Sequence, residues 1–326
     1  MVSVINTESV SIVVPMRNAS TTVLHALKSI EKQKYPIREI IVIDNDSKDN
    51  SVSLVKEFSN NSKIPIKLIA RKENKSLGSS FNEGVRNAKS TLVILMHSDC
   101  SLPTDKEVEK LTKPIIEEKY VVATYSTMLS LDNVWEAYDF WEKCLFARDV
   151  GRKSAGLVTK FDCIRRSIYQ RIGGVDVGNF GFGGFDADLH EKLAKIGKVV
   201  KSEAVVTHSH YLGKGYSLRK LLIKQRIIAR TYGRLIRMRG ISLFQNGIFL
   251  VVKPSLAILP LVPYLHSVGL IALIAYSFLY TKKMFTTKST LQDPRIIILP
   301  FLNVFSLYYE TFWTIESFLF GKNKVE

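Results

Sequence analysis

The chain has 326 residues, 46% hydrophobic and 23% charged, with a formal net charge of +16. That length buries a full core. Three widely spaced cysteines, Cys100, Cys144 and Cys163, with no Cys-x-x-Cys pair, argue against a disulfide framework or a structural zinc site. The positive balance calls for an anionic partner, and its placement points to which one. Between Lys214 and Arg239 stand nine Lys or Arg residues and no acidic ones, immediately before the chain turns apolar. A basic run flanking an apolar segment is the pattern of the cytoplasmic side of a membrane anchor. No nucleic-acid-binding motif accompanies the charge, so nucleic acid is disfavoured as a partner. The opening MVSVINTESV lacks a basic stretch followed by an apolar core, and the front of the chain is expected on the cytosolic side.

In chain order, Ser11–Pro15 is a short β-rich run suited to a buried strand, followed by a helix whose apolar positions Val23, Leu24, Leu27 and Ile30 recur at helical spacing. Glu39–Ile43 is a second strand, stopped by the polar cluster Asp44–Asn50. A helix over Ser51–Ser59, a strand over Ile66–Ala70, a helix over Ser79–Ala88 and a strand over Thr91–Met96 complete the alternation. Such alternation predicts an α/β fold with a mostly parallel sheet covered by helices on both faces. Ligands of these sheets bind beyond the carboxyl ends of the strands, which singles out Asn18, Asp44–Asp46 and His97–Asp99. An aromatic-rich helix is expected over Asp132–Asp149. A Gly-rich stretch at Gly173–Gly184 leads to a helix over Asp186–Ile196. A strand over Val199–Thr207 ends in His208-Ser209-His210.

The mean hydropathy of +0.06 conceals an uneven distribution. Two apolar segments, Leu243–Val262 and Leu265–Tyr280, are read as a membrane hairpin broken near Pro260 and Pro263, with both ends on the cytoplasmic side. A third, Ile296–Phe320, carries Glu310 and Glu316 among many aromatics, and spanning and interfacial readings of it both stand. The expected organisation is a catalytic domain over 1–212, a basic juxtamembrane segment over 213–242 and a membrane region over 243–326.

A carboxylate at a strand end suits a hard divalent cation, and Asp99 is placed for that; as a single residue it reads equally well as a turn or helix-capping aspartate. The ordered stretches SIVVPMRNAS, IEKQKYPIREIIVIDNDSKDNS, NKSLGSSFNEGVRNAKSTLVILMHSDCSLP and IGGVDVGNFGFGGFDADLHEKLAKIGK together resemble glycosyltransferase family 2 over about residues 10–210. The resemblance implies a GT-A fold, a nucleotide-sugar donor, a divalent metal (Mn²⁺ or Mg²⁺) and inversion at the anomeric carbon. By that resemblance Pro15 and Asn18 line the nucleotide site, and Asp44 and Asn45 stand where paired aspartates contact base and ribose. Gly78, Asn82 and Gly84 belong to the segment that passes the donor. His97-Ser98-Asp99 aligns with the Asp-x-Asp metal motif; the first acid is replaced by His97, which suits Mn²⁺ better than Mg²⁺.

The family's Glu-Asp pair aligns with Phe185-Asp186. Only the second acid remains, and Asp186 is the expected general base; alone it also reads as a first-turn carboxylate. Asp188 is assigned to packing or acceptor contact. His208 and His210 can share one strand face at the metal or diphosphate, and Arg226 is a candidate phosphate contact. The spacing of Lys224-Gln225-Arg226 to Arg230 does not match the Gln-x-x-Arg-Trp motif of processive relatives. The expected function is transfer of a sugar to a lipid-linked or membrane-presented acceptor, with polyprenyl phosphate as one acceptor. The losses at Asn45, His97 and Phe185 motivate an alternative, a catalytically impaired sugar-nucleotide-binding membrane protein.

Overall fold

The computed structural model describes residues 8–130, 134–148, 153–180, 183–209, 216–240 and 251–321. The chain divides into two compact units, one formed by Met1–Leu131 with Lys153–Tyr211 and the other by Asp132–Arg152 with Leu212–Glu326.

The first unit begins with β1 (Val10–Met16), α1 (Val23–Glu31), β2 (Ile37–Asp44), α2 (Ser51–Asn61), β3 (Ile66–Ala70), α3 (Leu77–Asn87) and β4 (Leu92–Met96). The short β5 (Cys100–Ser101), α4 (Glu107–Glu117) and β6 (Val121–Ser130) follow. The chain then lends α5 (Val134–Ala137) and α6 (Phe140–Phe146) to the second unit. It returns with β7 (Lys153–Ala155), β8 (Phe161–Arg165), α7 (Arg166–Arg171), α8 (Val177–Phe180), α9 (Phe185–Ala194) and β9 (Lys198–His208).

The strand order is β3-β2-β1-β4-β8-β6-β9-β5, with β7 pairing β6. As expected, β1 to β4 pair in parallel. The second half of the sheet is mixed, because β8 runs antiparallel to both β4 and β6 while β9 runs parallel to β6. Ile12, Val13 and Val14 are fully buried in succession, as a strand covered on both faces requires. Ile12 and Val14 pack in one cluster with Leu27 and Ile30 of α1 and Leu111 and Ile115 of α4. Val13 points the other way, against α3, where a Cβ on Gly84 would lie 2.1 Å from its Cγ1.

The expected aromatic helix over Asp132–Asp149 is interrupted: among the described residues it forms α5 and α6, broken by a capping box at Asp139 and Glu142. The strands β6 and β8 and the helix α4 had no counterpart in the sequence reading.

The second unit continues with α10 (Leu218–Arg239), α11 (Lys253–Ile258), a 3₁₀ turn at Leu259–Leu261 and α12 (His266–Leu279). It ends with α13 (Lys282–Thr286), α14 (Lys288–Leu291), a 3₁₀ turn at Pro294–Ile298 and α15 (Leu299–Phe320). Among the described residues the expected hairpin does not appear as two helices of spanning length: α12 has 14 residues, and α11 with the 3₁₀ turn covers Lys253–Leu261, with 243–250 of the first segment outside the described residues. Among the described residues, the helical stretch long and apolar enough to cross a membrane is Pro294–Phe320.

Its packing is inverted relative to a soluble helix. Asn303, Ser306, Glu310, Thr311, Thr314 and Ser317 are buried, whereas Phe301, Phe305, Phe312, Ile315 and Phe318 are exposed. Buried Glu310 is paired with the buried Lys253 ammonium and accepts from Tyr280 Oη at 2.9 Å. Glu316 is paired with Arg230 at 3.3 Å. α10 approaches α15 closely at Gly233, where a Cβ would lie 2.3 Å from the Thr314 carbonyl oxygen.

The contact of α3 with β1 yields a prediction. Gly84→Ala places a methyl against a fully buried, β-branched neighbour on a central strand. The strain should outweigh the gain in helix propensity and destabilise the first unit by about 1–3 kcal/mol; urea denaturation of the variant against the parent checks this.

Candidate active site

The register of the sheet assembles the site. β1, β2 and β4 end together, and their carboxyl-end loops open a cleft of about 290 Å³ lined by Pro15, Asn45, Lys75, Ser80, His97, Ser98 and Asp99 among others. β4 pairs β8 with Met96 opposite Phe161, which sets His97 against Lys160. β5 pairs β9 with Cys100 opposite His208, which brings His208 to Asp99; the Ser209 amide also donates to the Asp99 carbonyl at 2.9 Å.

Lys160 Nζ lies 3.0 Å from His97 Nδ1 and 3.0 Å from His208 Nε2. His208 Nε2 is 3.1 Å from Asp99 Oδ2, and His97 Nδ1 is 3.9 Å from Asp99 Oδ1. Burial would raise the Asp99 pKa, but the groups around it, the Lys160 ammonium foremost, outweigh it and hold the carboxyl below the usual range. Burial, reinforced by Lys160, pushes His97 well below its ordinary value, so His97 is a neutral imidazole. Its Nε2 stands 3.2 Å from Thr159 Oγ1, and that hydroxyl donates to the Val158 carbonyl at 2.7 Å. This chain assigns the proton of His97 to Nε2 and leaves the Nδ1 lone pair facing Lys160.

Asp99, Cys100 and His208 bring candidate ligand atoms within 4.8 Å of one another. Burial, with Asp99 adding to it, pushes the Cys100 thiol well above its usual value, so it stays protonated and is a poor ligand. Asp99 and His208 offer a carboxylate oxygen and an imidazole nitrogen, with His97 Nδ1 3.9 Å from Asp99 Oδ1, and oxygen and nitrogen donors of this kind suit Mn²⁺ better than Mg²⁺.

Asp186 lies in the first turn of α9, which Gly184 enters in the left-handed region at φ +75°. Burial raises its pKa, against a 3.0 Å hydrogen bond from the Ala187 amide. Phe185, where the family carries the other acid, is buried against Phe81 with ring centroids 6.2 Å apart.

Several expected donor contacts serve to hold the cleft together. Asn45 donates through Nδ2 to the Lys75 carbonyl and accepts at Oδ1 from the Lys75 amide at 2.9 Å and from Arg71 at 3.2 Å. An aspartate could not make that donation, which gives the Asp-to-Asn departure a physical reason. Asn18, in the left-handed region at φ +48°, receives the Lys48 amide at 2.7 Å and ties the loop after β1 to the loop after β2. Asp44 is buried; its Oδ2 accepts from the Ser47 amide, and Oδ1 has no hydrogen-bond partner among the described residues.

Asn82 is engaged at both ends by Tyr169 and Val175, and a Cβ on Gly78 would lie 2.5 Å from Val175 Cγ1, so both residues pack α3 against the 169–177 turn. Asp188 is fully buried and paired with Lys192 at 2.9 Å, a packing role. Arg226 belongs to α10 of the second unit, where its guanidinium stacks on Trp313. His210 lies outside the described residues.

Sequence reasoning missed Lys160, Asp162 and Arg71. Arg71 pairs with Glu83 at 2.5 Å and bonds Ser79, Ser80 and Asn45 at the cleft wall. Its position just after β3, at a parallel-sheet carboxyl end, was the available signal. Lys160 and Asp162 precede and occupy a strand that periodicity alone did not reveal.

Residues 11–172 match the family model for glycosyl transferase family 2. The chain belongs to this family. It is 30% identical over 98 residues to poly-beta-1,6-N-acetyl-D-glucosamine synthase of Staphylococcus epidermidis, covering 30% of this chain and 23% of that protein. It is 33% identical over 90 residues to the UDP-Glc:alpha-D-GlcNAc-diphosphoundecaprenol beta-1,3-glucosyltransferase WfgD of Escherichia coli, covering 28% of this chain and 34% of that protein. The family member thus spans about a quarter to a third of the length of these curated relatives. The mannosyltransferase PcManGT from Pyrobaculum calidifontis, solved in complex with GDP-Man and Mn²⁺, superposes with a TM-score of 0.58 at 17% identity, over 97% of this chain and 88% of that one. That likeness shows the GT-A fold.

Asp162 makes the pH dependence of the first unit testable. Fully buried on β8, it has its pKa pushed up to about 8, chiefly by burial, with Asp186 adding to it. A carboxyl whose folded value lies above its unfolded one favours the fold while both states are protonated. That contribution is lost as pH rises from about 4 to about 8, at up to about 1.4 kcal/mol per pH unit. Asp162→Asn should therefore melt close to the parent near pH 4 and above it at pH 8, a pattern that thermal unfolding across pH would reveal.

Proposed function

We propose that the chain is an inverting glycosyltransferase that moves a sugar from a nucleotide-sugar donor to a lipid-linked or membrane-presented acceptor. The observation carrying this reading is the contrast between a low-pKa carboxylate at Asp99 and a raised-pKa carboxyl at Asp186, both of which feel the charge of Lys160. Environments that push two acids apart in this way suit a charge-holding role for the first and proton transfer for the second. The donor's diphosphate would lie in the cleft above His97, Ser98 and Asp99, with Pro15, Asn45 and Lys75 at its walls. A Mn²⁺ ion held by Asp99, His208 and His97 would neutralise charge on the departing diphosphate.

Asp186 takes the acceptor's proton as its hydroxyl oxygen forms a bond to the anomeric carbon. The bond from that carbon to the diphosphate oxygen breaks on the opposite side, and the diphosphate leaves with the electron pair. Membrane attachment is supported by the inverted packing of α15: apolar side chains face outward, and both of its acids are neutralised within the second unit. The basic face of α10 and the name of the Escherichia coli relative, whose acceptor is a diphosphoundecaprenol saccharide, support an acceptor presented at an anionic membrane surface.

Asp186→Asn in detergent-solubilised protein should lower turnover by about 10²–10⁴-fold while a nucleotide-sugar panel still binds. Full retention of turnover would point to an acceptor phosphate, which is already ionised and needs no base. Donor binding without turnover by the parent protein, under every metal and acceptor tried, would replace transfer with the binding-only reading.

A further inference from the structure

Lys160 has no assigned role, yet the local structure is organised around its ammonium. The lone pair of His97 Nδ1 faces it at 3.0 Å, with the opposite nitrogen already committed to Thr159. His208 Nε2 faces both Lys160 Nζ at 3.0 Å and Asp99 Oδ2 at 3.1 Å. One nitrogen cannot accept from an ammonium and donate to a carboxylate at once. If Nε2 carries a proton, that proton opposes the ammonium. If it carries a lone pair, it faces a carboxylate, and the contact is tolerated only because a cation stands beside both. Only the second arrangement turns every lone pair toward positive charge, and it is the arrangement that ligands adopt around a metal ion.

The backbone is strained to hold Lys160 there. Thr159, immediately before it, is β-branched, fully buried and in the left-handed region at φ +58°, a conformation that costs of order 1–3 kcal/mol where nothing enforces it. It is held by its amide's 2.6 Å donation to Asp162 Oδ2 and by its hydroxyl's contact with His97. Asp162 is itself fully buried on β8, so the pin is anchored in the sheet.

We infer that Lys160 is the resident cation of the Asp99–His97–His208 seat: its ammonium occupies the place a divalent ion would take, and the two exclude each other. The inference rests on the nucleotide-sugar reading only for what the cation faces; the seat can be tested with Mn²⁺ alone. Divalent metal then enters only when Lys160 swings away, so the metal affinity of the donor-free protein is held down by this chain's own side chain.

The test is a Mn²⁺ titration of the donor-free, full-length, detergent-solubilised protein, reading the loss of the free-ion electron paramagnetic resonance signal. Lys160→Met removes the ammonium and should bind Mn²⁺ at least about tenfold more tightly than the parent, whereas Lys160→Arg should not tighten binding. Lys160→Gln, which keeps a polar end, carries the same expectation should the Met variant fail to fold. Unchanged or weaker Mn²⁺ binding by the neutral variants would overturn the assignment. Because no donor is present, that failure is distinct from failure of the transferase reading, which is judged on nucleotide-sugar binding and turnover.

Discussion

The first unit is organised around the convergence of one carboxylate and two imidazoles on a single positive charge. Asp99 and His97, Lys160, and His208 come from three separate stretches of chain, and two antiparallel registers bring them together, β4 on β8 and β5 on β9. A one-residue slip in either pairing would turn the side chain it delivers toward the opposite face. The buried core beneath, Ile94 and Met96 on β4 with Phe161 on β8, fixes the first register, because one face of each strand must meet α1 and α4. Packing and site chemistry are therefore not separable at these strand ends.

The parallel half of the sheet was legible in the sequence because each of its strands is a short apolar run closed by polar residues. SIVVP, EIIVI and TLVILM could hardly be anything but strands buried on both faces. The antiparallel half was not. Phe161–Arg165 reads FDCIR, which places an aspartate inside a strand buried from Phe161 to Ile164. Such a carboxyl is tolerated because Thr159 donates to it and its pKa rises until it is largely neutral, a tertiary compensation that no periodicity count can anticipate. Lys160 was hidden for the same reason: it lies at the edge of a strand that could not be seen.

Among the residues expected at the site, the resemblance was a better guide to position than to role. Asn45 lines the cleft, but its amide is spent on Lys75 and Arg71. Asn82 and Gly78 belong to the seam between α3 and the 169–177 turn. Asp188 neutralises Lys192, whose ammonium also donates to the Gly174 carbonyl at 3.2 Å, and so it anchors the turn that precedes Asp186. A glycine or amide at a crowded crossing is constrained by volume whatever ligand lies nearby.

The second unit has the packing that the proposed membrane attachment calls for. Absence of acidic residues favours the segments around 243–280 as membrane spans, whereas Glu310 and Glu316 leave Ile296–Phe320 open to an interfacial reading. Among the described residues it is this third segment that forms a helix of spanning length, because a charge in an apolar helix is disqualifying only when it has no partner. Glu310 meets Lys253 and Tyr280, Glu316 meets Arg230, and Asn303 donates to the Ser277 carbonyl and to Thr281. These polar contacts lie inside the unit, whereas Phe301, Phe305, Phe312 and Phe318 face out. In water that arrangement would expose apolar area without recompense. In the bilayer that the proposed attachment calls for, the outward aromatics would be at no disadvantage, and the internal polar contacts would hold the helices together where hydrophobic burial cannot.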